Sequence, residues 1–333
     1  MIYIFGITFI LLGSLFIISI INAWTRTSEL RRSARFGTEK LLHVRRSRVH
    51  YVEFGDGPCL IMLPSLFESY RTWNPVLPAL SSHFRCICVN YFGYGDSDIP
   101  NDFNYELAEM SEFIIDMLDR LHIEIAHFLG VGFGASIVLD LAARFPLCVN
   151  RSVAIEGVVD FKNNIAIPEL MRYKMFSIPV VGAINHLVFR SGLFGKSIAR
   201  NILGAAWDEM SNIERQNFLN DFSISMFESK RSVVRNLASS WIQNKDLVQD
   251  AHKIEVPVLY LMGDESEFQQ VLEPTNAILK QLPSVTRWRI QDGIHQLHWQ
   301  YPRWVGQVVT HFLKEEDVFS RPDSGGLWEI KVT

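Results

Sequence analysis

Charge is what the first 25 residues lack: from Met1 to Thr25 there is no Asp, Glu, Lys or Arg. The stretch is built almost wholly from Ile, Leu, Phe and other apolar types. It is long enough for the ~20 residues that cross a bilayer core, and a helix there satisfies its own backbone polar groups. A cleaved leader is disfavoured, because nothing basic precedes the apolar run and Ile21-Asn22-Ala23 is a poor small-x-small site. Cysteine is scarce, with 4 in 333 residues. Cys86 and Cys88 share one apolar run and Cys59 and Cys148 sit in others, which speaks against a disulfide framework and for buried thiols in a reducing compartment. A surplus of either charge is also missing: 32 Lys and Arg stand against 36 Asp and Glu, a net charge of -4. That balance gives no reason to expect nucleic acid as a partner. Internal repeats and low-complexity tracts are absent too.

The segment after the apolar run is basic. Arg26, Arg31, Arg32, Arg35, Lys40, Arg45, Arg46 and Arg48 come in close succession. The positive-inside rule then makes the chain a single-pass membrane protein with its main domain on the cytoplasmic side. The lipid bilayer is its first expected partner, and the same cluster could rest on anionic headgroups. We divide the chain into a transmembrane anchor (1–25), a basic juxtamembrane linker (26–44), a globular domain (45–314) and a tail (315–333). The tail reads as a loose extension, in which Leu327 to Ile330 could dock on a neighbour. Asn150-Arg151-Ser152 matches a glycosylation sequon, but a cytoplasmic domain would not present it for modification.

Within the globular part, apolar strand patterns alternate with helical ones. Strands are expected at 49–54, 59–63, 84–89, 125–129, 151–155, 256–262 and 286–290. Helices are expected at 105–121, 135–145 and 304–313. Such alternation predicts an α/β fold with a mainly parallel central sheet and helices on both faces. Between about 160 and 250 the pattern is helical and amphipathic, and we read it as a cap over the sheet's carboxyl edge, where open α/β sheets bind ligands.

The most informative segment is Phe128-Leu129-Gly130-Val131-Gly132-Phe133-Gly134-Ala135-Ser136. It ends a strand and opens a helix, the context of the G-x-S-x-G nucleophile elbow, but Gly132 stands where the nucleophile belongs. Other landmarks keep to the same plan: Asn90-Tyr91-Phe92-Gly93-Tyr94-Gly95-Asp96-Ser97-Asp98-Ile99-Pro100, then Ala142-Ala143-Arg144-Phe145-Pro146, then Val256 to Gly263, then Gly293-Ile294-His295 with Pro302 beyond. In this order the chain resembles the α/β-hydrolase superfamily, in particular its cap-bearing esterase, epoxide hydrolase and haloalkane dehalogenase branch, over residues 45 to 314.

The resemblance implies a site and also shows its departures. His295 holds the family's histidine position. Ser266 stands at the usual acid position, flanked by Asp264, Glu265 and Glu267. A second acid position, at the end of the strand after the elbow helix, falls on Glu156, so a Glu156–His295 pair is the expected catalytic remnant. The oxyanion region reads Pro64-Ser65-Leu66 where the family usually has His-Gly, and proline has no N–H to give. With Gly132 and Phe133 these residues define the expected pocket. Among replacement nucleophiles, Ser136 lies a helical turn beyond the elbow, Cys148 lies past its helix, and Ser65 alone could approach the pocket.

Other chemistries fit less well. The third glycine of Gly130-x-Gly132-x-Gly134 comes too early for a dinucleotide turn, so no cofactor is expected. His295 with His298, and His122 with His127, lack completing ligands at metal spacing, so no metal is expected. Trp288, Trp299 and Trp304 near the histidine loop read as core and pocket lining.

The leading expectation is therefore a membrane-anchored hydrolase-fold protein without catalysis, binding a membrane-protein partner or an apolar small molecule, for example as an accessory subunit of a membrane complex. The alternative is an active hydrolase of a lipophilic ester or epoxide that uses His295 with Glu156. A pure scaffold without a pocket is the third expectation.

Overall fold

The computed structural model describes residues 13–14, 16–22, 24–29, 37–66, 68–159, 178–191, 195–204, 206–230, 232–233, 236, 250–266, 269–315 and 327–331. Its centre is a nine-stranded sheet in the order β1-β2-β4-β3-β5-β6-β7-β8-β9. The strands are β1 (Thr38–Val44), β2 (Ser47–Phe54), β3 (Cys59–Leu63), β4 (Arg85–Val89), β5 (Ala126–Val131), β6 (Val149–Ile155), β7 (Val258–Gly263), β8 (Val285–Gln291) and β9 (Leu327–Lys331). β1 and β2 form an antiparallel hairpin, β2 runs antiparallel to β4, and every other pairing is parallel. Strands β3 and β5 are buried almost from end to end, as expected of central parallel strands covered on both faces.

Helices cover those faces. The helix α1 (Leu107–Leu121) buries Leu107, Met110, Phe113, Ile114, Met117 and Leu118 on one stripe, and α2 (Phe133–Arg144) is buried nearly all round. The cap supplies α3 (Pro179–Ser191), α4 (Gly195–Leu203) and α5 (Asn212–Glu228); then come α6 (Gln269–Leu279) and α7 (Pro302–Leu313). Trp207 and Phe218 of the cap pack with Ile294 and Trp299, so this helical layer seats on the histidine loop. Residues 160–177 and 237–249 of the expected cap lie outside the described residues.

Two expectations are corrected. The linker assigned to 26–44 already contains β1, so the domain begins at 38. The tail is not a loose extension throughout: β9 adds itself in parallel to the edge of β8, satisfying backbone groups that an open edge would leave unpaired. Of the expected anchor (1–25), residues 13–14, 16–22 and 24–25 are helical, while 1–12, 15 and 23 lie outside the described residues. Among the described residues no helix is long and apolar enough to cross a membrane.

The feature that positions the site is the strand order. The chain moves outward from β3 to β4, then returns to place β5 on the other side of β3 and continues to β6. The crevice at such a reversal lies at the carboxyl ends of the two central strands. Here those ends carry Ser65 after β3 and Gly132 after β5. Helix α2 starts hard against the end of β3. A Cβ added to Gly134 would sit 2.1 Å from the carbonyl oxygen of Leu63 and 2.6 Å from that of Pro64. Only glycine allows this approach.

Gly134→Ala should therefore push α2 off β3. The clash is with backbone, which cannot give way as a side chain can, so the cost should reach the upper part of the ~1–3 kcal/mol overpacking range or exceed it. We expect the midpoint of thermal unfolding to fall by roughly 5–10 °C. A fall below about 2 °C would show that the two elements are not rigidly apposed.

Candidate active site

The turn after β5 keeps the shape of a nucleophile elbow. Gly132 has φ 53° and ψ -115°, a conformation that costs an ordinary residue dearly. Its N–H donates to Ile155 O at 2.9 Å and its carbonyl accepts from Ser136 N at 3.1 Å, so the turn is tied to β6 and to α2. The amides of Phe133, Gly134 and Ala135 begin α2 and have no carbonyl within the helix to bond. They make the positive end of a 12-residue helix at the site.

The side chain that Gly132 lacks is replaced in space. A Cβ built on Gly132 would lie 2.3 Å from Ser65 Oγ, 3.2 Å from Ser65 Cβ and 3.4 Å from His295 Cε1. The hydroxyl of Ser65 thus sits less than two covalent bond lengths (about 1.5 Å each) from the point an elbow side chain would leave, and that point is in contact range of the imidazole. Ser65 is 9% exposed. Its loop is held from behind, because Tyr91 Oη donates to Pro64 O at 2.9 Å.

His295 and Glu156 meet as expected, with Nδ1 2.6 Å from Oε2. Glu156 is 1% exposed and also accepts from Gly263 N at 2.8 Å and from Ser266 Oγ at 2.7 Å. A carboxylate that accepts from an amide, a hydroxyl and a ring nitrogen holds the imidazole hydrogen on Nδ1 and leaves Nε2 as the acceptor. Ser266, at the usual acid position, has become a clamp on the carboxylate that took its place. Glu156 pays for its position with φ 53°, the left-handed region in which residues with a Cβ are uncommon.

The other candidates are placed away from this chemistry. Ser136 Oγ accepts from Val158 N at 2.9 Å, inside the fold. Cys148 is half-buried beyond α2. His298 is fully buried with Nε2 2.8 Å from Thr72 Oγ1, and burial, helped by the neighbouring His295, lowers its pKa to about 3. It is a neutral post, not a second base. Leu66 and Phe133 are buried beside the turn.

Sequence reasoning missed the polar layer beneath the cap. Gln296 Nε2 donates to Glu68 Oε1 at 2.7 Å, and burial raises the Glu68 carboxyl above its ordinary range despite the nearby His295. Asn74 Nδ2 donates to Asp221 Oδ2 at 2.8 Å, and Arg71 Nη1 lies 3.8 Å from Asp221 Oδ1. Ser69 and Ser225 join their hydroxyls at 2.9 Å across the same interface. A run such as Glu68-Ser69-Tyr70-Arg71 reads as an exposed loop until the cap closes over it.

Burial raises the Asp221 carboxyl to about 6, against the hydrogen bond from Asn74 and the charge of Arg71. Its value in the unfolded chain is about 4. The folded state therefore binds the proton more tightly, and the stability this gives is present below about pH 4 and lost as pH rises through about 6. Asp221→Asn should be more stable than the parent at pH 7 by about 1–3 kcal/mol, the larger figure being about two pKa units at 1.36 kcal/mol each. The gap should close toward about pH 4. Urea denaturation of both proteins at several pH values between about 4 and 7 checks this, and a gap independent of pH would count against a strained carboxylate.

The chain's likeness to known proteins agrees with this geometry. A sequence model of the family described as alpha/beta hydrolase fold matches residues 58–180. Carboxylesterase YbfK of Bacillus subtilis (strain 168) is 25% identical over 276 residues, covering 81% of this chain and 85% of that one. Bifunctional epoxide hydrolase 2 of Mus musculus is 34% identical over a shorter stretch of 109 residues, which is 32% of this chain and 20% of that protein. The crystal structure of a membrane phospholipase A, a bacterial virulence factor, superposes with a TM-score of 0.67 at 17% identity, covering 95% of this chain and 99% of that one. Sheet order, elbow, acid–histidine pair and these likenesses together show that the chain has the α/β-hydrolase fold.

Proposed function

We propose that the protein is a membrane-bound serine hydrolase of carboxylic esters whose nucleophile is Ser65, on the loop after β3, and not a residue of the elbow. One observation carries this reading: the Ser65 hydroxyl lies 2.3 Å from where an elbow Cβ would be, a point that is itself 3.4 Å from His295 Cε1. The non-catalytic reading rested on the absence of a side chain at 132. That absence matters less once another hydroxyl fills the same space.

The steps follow from the groups present. His295 Nε2 takes the proton of Ser65 Oγ as the oxygen attacks the ester carbonyl carbon. The imidazolium that forms is held by Glu156 through Nδ1. The oxyanion is met by amides at the start of α2, a source that does not depend on Pro64. His295 returns the proton to the leaving alcohol, and the acyl group stays on Ser65. Water, deprotonated by the same imidazole, attacks that ester, and the acid leaves with Ser65 restored.

A serine nucleophile also selects the substrate class. Opening an epoxide or displacing a halide would leave Ser65 as an ether, which this machinery could not hydrolyse. An acyl ester turns over. The name carboxylesterase borne by the Bacillus relative supports the same choice.

For location we propose the arrangement expected from sequence: a single-pass anchor at 1–25 with the domain on the cytoplasmic side. Supporting it, Phe16, Ile17, Ile18 and Ile21 on the N-terminal helix are exposed, and the basic run comes after them. The second reading, a non-catalytic binder of an apolar ligand or membrane partner, is favoured by Pro64 alone, which removes one N–H from the usual oxyanion loop.

A fluorophosphonate probe should modify the full chain on Ser65, identified by peptide mass, and Ser65→Ala should lose both labelling and roughly 10³-fold or more in kcat/KM on short-chain esters. Absence of labelling with measured folding intact would leave the binder reading standing.

Gly132→Ser adds a second hydroxyl to an occupied space. Its Cβ would lie 2.3 Å from Ser65 Oγ, so one side chain must turn away. We expect Gly132→Ser alone to lower kcat about 10-fold or more, and Gly132→Ser with Ser65→Gly to recover activity and shift the probe to position 132. A single variant more active than the parent would show that Ser65 was never the nucleophile.

A further inference from the structure

We propose that helix α3 of the cap is seated in an anionic lipid surface, its apolar ridge among acyl chains beside the N-terminal helix. The proposal rests on the membrane location given above and adds a second seat to it. Exposed large apolar side chains are not scattered over this chain. Among the described residues there are fifteen, of which five lie on the N-terminal helix and five at 178–187. Such side chains are ordinary when single, but a contiguous group of them marks a contact. On α3, Val180, Ile184 and Leu187 follow the i, i+4, i+7 spacing of one helix face. They are 70%, 57% and 42% exposed, while Gly182 and His186 are buried. The two segments meet, because Ile17, Ile20, Ile21 and Trp24 line one groove with Leu187.

Charge chooses the occupant of this surface. From 170 to 207 the sequence has Arg172, Lys174, Arg190, Lys196 and Arg200 and no Asp or Glu. The N-terminal segment is alike, since its first acid, Glu29, comes after Arg26. An apolar ridge flanked by basic residues alone matches an anionic lipid surface, where the ridge enters the acyl boundary and the cations meet headgroups. A second copy of the chain would set the same cations against each other. The groove's other wall is the charge-free segment, so the apolar surface of α3 continues into the one proposed as the anchor. With 13 residues, α3 is too short for the ~20 that cross a bilayer core. It therefore lies in the plane of the interface.

This seat lies close to the site in the order of packing. Helix α3 packs on α5, and Ser225 of α5 bonds Ser69 on the loop that carries Ser65. One helix thus stands between the seated one and that loop. A cap held in this way is positioned from two sides, by lipid on α3 and by the histidine loop under Trp207 and Phe218.

Photolabelling of the full chain from within the bilayer tests the seat. The vesicles would hold phosphatidylcholine and phosphatidylglycerol in equal parts, with a trace of phosphatidylcholine bearing a mid-chain diazirine, and adducts would be mapped by peptide mass. We expect adducts at 178–187 and at 16–24. The peptide of Leu147 should carry none, although that residue is 88% exposed, because it lies just before β6 at the opposite edge of the sheet. Adducts at 178–187 should fall about fivefold or more in pure phosphatidylcholine and in Ile184→Asp, with those at 16–24 unchanged. Should Ile184→Asp fail to fold, the two lipid mixtures decide. Adducts at 16–24 alone would leave the anchor standing and overturn the seat. Adducts at 178–187 alone would leave the seat standing and overturn the anchor. Labelling at neither would overturn both. The proposal also falls if 178–187 is labelled no more than Leu147 or equally without phosphatidylglycerol. It falls too if α3 is labelled only in nanodiscs that hold one copy, since a second copy would then be what covers α3 in vesicles.

Discussion

The structure depends on one steric contact, the start of α2 against the end of β3. The strand order brings β3 and β5 side by side, and Gly134 lets the helix that begins after β5 touch the carbonyls of Leu63 and Pro64. From that contact the rest of the site is built. The loop carrying Ser65 is pressed into the elbow, so residue 132 and residue 65 share one small volume. A side chain at 132 would meet Ser65 Oγ at 2.3 Å, far inside ordinary contact. Glycine at 132 and serine at 65 are thus two halves of one arrangement, in which the hydroxyl of Ser65 occupies the space that a side chain at 132 would need.

The acid–base pair is organised just as tightly. Glu156 is buried, bent into the left-handed region, and bonded to an amide, a hydroxyl and the His295 ring. Removing one partner of such a group would strand a charge in a poorly solvated place. This couples β6, β7 and the histidine loop, because Glu156 ends the first, Gly263 the second and His295 lies on the third. The carboxylate therefore orients the base and also fixes the edges of the site to one another.

Much of this was legible in the residues. Strands 59–63 and 84–89, the helix 105–121 and the elbow glycines carry local patterns that tertiary structure did not override, and the observed elements agree within a few residues. The pairing of Glu156 with His295 was readable because each sits at a strand end that the fold brings to one edge. The unreadable parts required distances between chain-remote segments. β1 lay hidden among basic residues that looked like a topology signal, and β9 among turn-formers in the tail. The polar layer of Glu68, Arg71 and Asp221 becomes buried only when the cap seats on it. Ser65 could be suspected from its loop, but only the approach at Gly134, a contact between backbones, says how near it comes.

Backbone strain at the site is narrowly placed. Glu156 sits in the left-handed region, which costs a residue with a Cβ of order 1–3 kcal/mol, in a class of molecules whose net stability is about 5–15 kcal/mol. Glycine at 156 would relieve it. At 132 the chain already uses glycine, so the elbow's φ of 53° carries little cost. The strain therefore falls on a residue whose side chain is in use, the buried carboxylate that holds the His295 ring, the Gly263 amide and the Ser266 hydroxyl together.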